Sequence, residues 1–147
     1  MNSLSISSLV GDLVVDEEGE AIVAIRWADE KTGNGSPLLV EAARQLDAYF
    51  AGKLTDFDLP LRPAGSDFEQ RVWAAMQKIS YGETACYGDL AAVVNSAPRA
   101  VGGACGKNPI PIVIPCHRVL AKAGLGGYSG SGGLKTKQTL LTLEGAL

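Results

Sequence analysis

The chain is poor in the residues from which metal and hydrolytic sites are usually built. Its 147 residues include one histidine, three cysteines and 6% aromatics. Cys86, Cys105, Cys116 and His117 offer four possible ligands for zinc, but no C-x₂-C or H-x₃-H spacing joins them, so a structural zinc is not expected. A thiol protease draws cysteine and histidine from different elements. Here the sole histidine adjoins a cysteine, which argues against that class. Three cysteines with no paired spacing suit free thiols in a reducing, cytoplasmic setting better than a disulfide framework. No apolar run nears the ~20 residues that span a bilayer, so no membrane partner is expected. The first residues, MNSLSISSLVGDLVV, lack a basic leader and read as no signal peptide. A positive charge surplus is also missing: the net charge is −3. It is uneven, however. Residues 1–65 carry five Lys/Arg against eleven Asp/Glu, and residues 66–147 carry eight against five. An acidic lobe therefore precedes a mildly basic one, although ordinary surface variation explains such a split equally well.

What is present reads as α/β, in the α+β sense. A small β-rich N-terminal lobe with one helix (1–65) is followed by a mostly helical C-terminal domain (66–147). Leu13–Val15 and Ala21–Trp27 read as strands around a turn at Gly19. Ser36-Pro37 opens a helix whose apolar positions recur through Phe50, and Gly52 closes it. Ser66-Asp67-Phe68-Glu69 is a capping box, followed by a helical stripe of Phe68, Val72, Trp73, Met76 and Ile79. Short helices at about Tyr87–Val94 and Pro98–Lys107, separated by Asn95-Ser96-Ala97, read as a helix-turn-helix of winged-helix type. A last helix is expected at about Leu134–Glu144, after the glycine-rich stretch GLGGYSGSGG.

Two stretches do not fit a plain structural reading. In the second helix of the pair, PRAVGGACGKN, Gly102 and Gly103 sit mid-helix, where glycine costs about 1 kcal/mol relative to alanine. Together with Ala100 and Ala104 they make a face of small side chains. Such a face serves either tight helix–helix packing or close approach to a narrow surface, with Arg99 projecting from the first turn. The second stretch is PIPIVIPCHRVL, Pro109–Leu120. It reads as an extended apolar run ending at Pro115, after which a turn brings Cys116 and His117 into one site. A thiol becomes a strong nucleophile when a cation or base lowers its pKa. A base in turn needs an orienting acceptor, and Glu144, the only acid after Asp89, is the candidate. A buried structural cysteine is the plainer alternative.

The motifs SAPRAVGGACGKNP, PIPIVIPCHRV, GGYSG and LLTLEG together closely resemble the O6-alkylguanine-DNA alkyltransferases over residues 66–147. Residues 1–65 match only in layout. The resemblance implies repair of double-stranded DNA by one irreversible alkyl transfer to Cys116, without a cofactor, by a monomer. It implies that His117 activates the thiol through a water, that Glu144 orients the imidazole, and that Asn108 braces the turn before the site. Tyr128 would hydrogen-bond the guanine ring and assist its departure. The carbonyls of Cys116 and Val119 and the amide of Ser129 would read the base edge. The second helix would enter the minor groove on Pro98, Ala100, Gly102 and Gly103. Arg99 would fill the space left by the extruded base, and Tyr87 would crowd its phosphate. Two departures stand out: Cys86 replaces a hydroxyl residue ahead of Tyr87, and Ser131-Gly132 form a two-residue insertion in the loop lining the pocket. The zinc site of some relatives has no histidine left to form it. The alternative is a non-catalytic helix-turn-helix DNA-binding regulator.

Overall fold

The computed structural model describes residues 2–30 and 35–147. Its first lobe is an antiparallel sheet in the order β1 (Asn2–Ser8), β2 (Gly11–Glu18) and β3 (Ala21–Trp27), covered by helix α1 (Pro37–Phe50). Strand β1 lies in the segment considered above only as a possible leader. Its signal was there: Leu4 and Ile6 alternate with serines, the period-2 pattern of a half-buried strand. The register pairs them with Val15 and Leu13 of β2. Ser36 caps α1 by accepting from the Leu39 amide at 3.2 Å, with Pro37 in the first turn. Leu39, Ala42, Leu46 and Tyr49 from α1 are buried against the sheet, which contributes Leu13, Val15, Ile22 and Ile25. Each side chain of Leu or Ile size fully removed from water contributes about 1.5–3 kcal/mol.

The edge of β3 does not face solvent. Ile22 exchanges hydrogen bonds with the linker, its amide donating to Pro60 and its carbonyl accepting from Arg62. The Ile25 amide donates to the Pro109 carbonyl at 2.9 Å. The first lobe is therefore stitched to the segment that carries the PCHR sequence.

Helix α2 (Asp67–Met76) starts at the expected capping box, both halves of which form. It is shorter than its apolar stripe, and Ile79 lies in the turn beyond it. Trp73 is fully buried, and its indole nitrogen donates to the Ala104 carbonyl at 2.9 Å. Strand β4 (Ala85–Cys86) pairs in parallel with β5 (Val119–Leu120). The helical pair is α3 (Tyr87–Val94) and α4 (Pro98–Gly106), joined through Asn95 in the left-handed conformation. The start of α3 is secured despite Cys86, because the Asp89 carboxylate accepts from the Cys86 amide at 2.8 Å. Helix α5 (Leu134–Leu143) completes the chain, with Glu144 at its C-cap.

The extended run expected at 110–115 is not a strand. Ile110 to Pro115 fold into a tight turn, with the Ile114 amide donating to Ile110 and the Cys116 amide to Ile114. Cys116–Arg118 then form a single 3₁₀ turn. Prolines 109, 111 and 115 explain the difference, since none can donate to a sheet ladder. Ile112 is held at φ +75°, a conformation that disfavours a β-branched residue and persists only where the surroundings impose it.

Candidate active site

Asn108 fixes this turn from inside. Its amide nitrogen donates to the Ile114 carbonyl at 2.8 Å, and its side-chain oxygen accepts from the Ile110 amide at 3.0 Å. The turn delivers Cys116 and His117 to consecutive positions of the 3₁₀ segment, both buried. Glu144 arrives from the end of α5. Its Oε2 lies 2.7 Å from His117 Nε2.

Glu144 does more than contact the histidine. Arg118 donates to it through Nε at 2.8 Å and Nη2 at 3.0 Å, and the Tyr49 hydroxyl donates at 2.6 Å. Arg118 also donates to the Ile79 carbonyl at 2.7 Å. Burial alone would raise the Glu144 pKa, but the bonds from His117, Arg118 and Tyr49 outweigh it and hold the carboxyl down at about 2. Burial lowers the pKa of His117, against the pull of Glu144, so the ring is neutral at pH 7. A neutral imidazole that donates Nε2–H to a carboxylate keeps its free lone pair on Nδ1. That Nδ1 is buried and has no hydrogen-bond partner.

Cys116 opens into a cavity of about 410 Å³ lined by Tyr87, Gly102, Cys105, Tyr128 and Ser129, among others. Burial pushes the Cys116 thiol up, opposed by Asn108 and the charge of Lys137. Cys105 is raised to about 12, chiefly by burial, and its sulfur lies 3.5 Å from that of Met76. The Tyr128 phenol is held protonated by burial and by proximity to Cys116. Its hydroxyl is buried without a partner. The cavity thus presents a protonated thiol and an unsatisfied phenol, with an unsatisfied imidazole nitrogen on the residue next to the thiol. Buried polar groups of this kind are rarely left unpaired unless something else completes them.

Lys137, on α5, escaped the sequence reading. It is fully buried and donates to the carbonyls of Val119 at 2.7 Å and Gly127 at 3.0 Å. A fully buried lysine is rare without partners, and here it ties α5 to β5 and to the middle of the loop that joins them. The Val119 carbonyl, expected to read the base edge, is already engaged by this ammonium, and Val119 does not line the cavity. Two glycines in the loop are required by space. At Gly126 (φ +73°) a Cβ would lie 2.9 Å from the Tyr87 ring, and at Gly130 it would strike Tyr128 and Trp27.

On α4, Pro98, Arg99, Ala100 and Gly103 are exposed and Gly102 is half-buried at the cavity mouth, whereas Val101, Ala104 and Cys105 face the core. Ala104 thus belongs to the packed side and not to the open face. The two mid-helix glycines are not there for packing: a Cβ on Gly102 or Gly103 would meet nothing within 4 Å. Among the described residues, no group of three or more His, Cys, Asp or Glu could hold a metal ion.

A helix-turn-helix with an open face of small residues, set beside a thiol next to an imidazole–carboxylate pair, defines a thiol-based group-transfer protein. Comparison with known proteins makes the class specific. Residues 67–146 match the model "6-O-methylguanine DNA methyltransferase, DNA binding domain", and residues 4–63 match "6-O-methylguanine DNA methyltransferase, ribonuclease-like domain". The chain belongs to the 6-O-methylguanine DNA methyltransferase family. It is 45% identical over 150 aligned positions to the methylated-DNA–protein-cysteine methyltransferase of Mycolicibacterium paratuberculosis, covering 95% of this chain and 90% of that one. It is 42% identical over 149 positions to the constitutive enzyme of the same name from Bacillus subtilis, covering 92% and 90%. The crystal structure of Mycobacterium tuberculosis OGT in complex with DNA superposes with a TM-score of 0.88 at 42% identity, over 99% of this chain and 94% of that one.

Proposed function

We propose that this protein repairs O6-alkylguanine in double-stranded DNA by moving the alkyl group onto Cys116, once per molecule. The observation that carries the reading is the orientation of His117. Its Nε2 is committed to Glu144, and its Nδ1 lone pair is left free on the residue that follows, in sequence, a thiol that burial keeps protonated. The thiol proton passes to His117 through a water. The Cys116 sulfur then forms a bond to the alkyl carbon as the carbon–O6 bond breaks, and guanine leaves with a hydrogen bond from the Tyr128 hydroxyl. No group is left to remove a thioether, so the protein is spent.

Residues 66–147 bind the DNA and carry the chemistry, and residues 1–65 support them. Helix α4 enters the minor groove on Pro98, Ala100, Gly102 and Gly103, where the absence of side chains permits close approach. The target base rotates out of the stack into the cavity. There Tyr87 crowds its phosphate, and the Ser129 amide and Cys116 carbonyl read its edge. Arg99, exposed on the first turn of α4, fills the gap in the duplex. Free thiols suit the cytoplasm, and the reaction needs one protomer.

Intact-protein mass after incubation with an oligonucleotide bearing one O6-methylguanine tests this directly. A gain of one methyl on the wild type and none on Cys116→Ser is expected. DNA binding without a mass change would favour the non-catalytic regulator. Arg99→Ala is expected to slow transfer from duplex DNA more than transfer from a free benzylated base. Equal slowing of both would remove Arg99 from the extrusion step.

A further inference from the structure

Tyr49 belongs to helix α1 of the first lobe, yet its hydroxyl reaches the cluster behind the thiol. It donates to Glu144 Oε2 at 2.6 Å. The same oxygen receives His117 Nε2 at 2.7 Å and Arg118 Nη2 at 3.0 Å, while Oε1 accepts from Arg118 Nε at 2.8 Å. The tyrosine bond is thus the shortest of three that converge on the oxygen holding the imidazole. Its direction follows from chemistry. Burial and the neighbouring carboxylate keep the phenol protonated, and an ionised carboxylate can only accept. The ring is fully buried, with Phe50 and Phe57 each 5.3 Å away between centroids and Tyr81 at 6.2 Å.

A buried phenol does not need a charged acceptor. Tyr81, in the same aromatic layer, donates to the Leu143 carbonyl at 3.3 Å. Placed on Oε2, the Tyr49 hydroxyl shares the carboxylate's charge with His117. Hydrogen bonds to an ionised carboxylate make it a weaker base. A weaker Glu144 stabilises imidazolium less, so the ring rests neutral, and it does not take the Nε2 proton when a proton arrives at Nδ1. We propose that Tyr49 is a positioning residue for the transfer step, through which the first lobe sets how firmly Glu144 holds His117 Nε2–H and hence the basicity of Nδ1. The proposal rests on His117 acting as the base in alkyl transfer to Cys116. The other groups around the pair are Arg118 on the same turn and Lys137 from α5, whose positive charges both disfavour imidazolium, the Tyr81 ring against Arg118, and the Cys116 thiol that precedes His117 in the chain. Tyr49 is the neutral group bonded to the carboxylate, so Tyr49→Phe changes its basicity while keeping every charge and the packed ring.

His117 is the only histidine in the chain, so isotope-labelled histidine reports its ring alone by NMR. In Tyr49→Phe the Nε2–H proton resonance is expected to move downfield and the His117 pKa to rise by about half to one unit, the scale of one hydrogen bond to a charged group. The acid limb of single-turnover methyl transfer from an O6-methylguanine duplex is expected to shift upward with it, at unchanged duplex affinity. Tyr81→Phe loses a hydroxyl from the same layer but none from the carboxylate, and is expected to shift neither. An unmoved Nε2–H resonance in Tyr49→Phe, an equal movement in both variants, or an acid limb that stays put while the His117 pKa rises would overturn the proposal. If the ring stays neutral down to acid unfolding in every variant, the resonance decides alone. A wild type that takes up no methyl while the resonance still shifts would sink alkyl transfer itself, and not the link from Tyr49 to His117.

Discussion

The two ring nitrogens of His117 look onto differently made surroundings. On the Nε2 side every strong group is spoken for: Glu144 accepts from His117, Tyr49 and Arg118, and Arg118 also donates to Ile79. Around Nδ1, and in the cavity, the inventory is incomplete. Nδ1 and the Tyr128 hydroxyl have no partners, and the nearby face of α4 has no side chains at Gly102 and Gly103 to fill the space. The first region is saturated and therefore rigid. The second is left for a ligand to complete. A catalytic imidazole needs both, because one nitrogen must be held still if the other is to exchange a proton.

Substitutions should separate the two regions by what they damage. The largest effect is expected from His117→Ala, which should slow transfer by about 10²–10⁴, the usual worth of a general base, while DNA affinity stays near that of the wild type. Equal losses in both assays would break the assignment. Glu144→Gln should cost about 3 kcal/mol of stability, because it leaves the buried Arg118 charge uncompensated. Denaturant unfolding measures this, and a loss below about 1 kcal/mol would show that the cluster is not saturated in the sense argued here. The same carboxylate predicts acid sensitivity. Its pKa falls from 4.5 to about 2 on folding, so its contribution is fully present above pH 4.5 and is lost as pH falls through that interval. Glu144→Gln should flatten this part of the pH–stability curve.

The open side should behave differently. Tyr128→Phe removes a hydroxyl that bonds nothing in the protein, so stability should hold or rise slightly while transfer slows. A clear fall in Tm would place a hidden partner on that oxygen. The smallest effect is expected from Gly103→Ala. With no neighbour within 4 Å of the added carbon, helix propensity alone should stabilise the protein by about 0.5–1 kcal/mol. Gly103→Leu should fold as well but bind duplex DNA more weakly. Unchanged DNA binding in that variant would detach α4 from the groove.

Much of this was legible in the sequence because it is local. Ser36 and Ser66 mark the starts of their helices, and Asn95 and Pro98 mark the break in the helical pair. The PCHR context marks the site itself. What the sequence did not disclose depends on residues far apart in the chain. Tyr49 and Glu144 are 95 positions apart, and no periodicity connects them. Lys137 is silent in the sequence because nothing near it says that two carbonyls, of Val119 and Gly127, await it. Trp27 and Tyr128 meet only after the lobes dock. The active-site turn is hidden for another reason. β-branched residues in IPIVIP favour a strand, while its prolines remove the donors that a sheet ladder needs.

The bond from the Ile25 amide to the Pro109 carbonyl also bears on how the molecule can be divided. Two matched segments suggest a protein that could be cut at the linker and trimmed to its working half. Such a cut would leave Ile22 paired with the linker but strip Ile25 of its partner on the outer edge of β3, opening backbone groups there to pairing with another chain. It would also free the turn that Asn108 holds from within. A fragment beginning at Ser66 would retain Cys116, His117 and Glu144 and still lack the outside support of the nucleophile's loop. The acidic lobe is better regarded as scaffolding for the thiol than as a passenger.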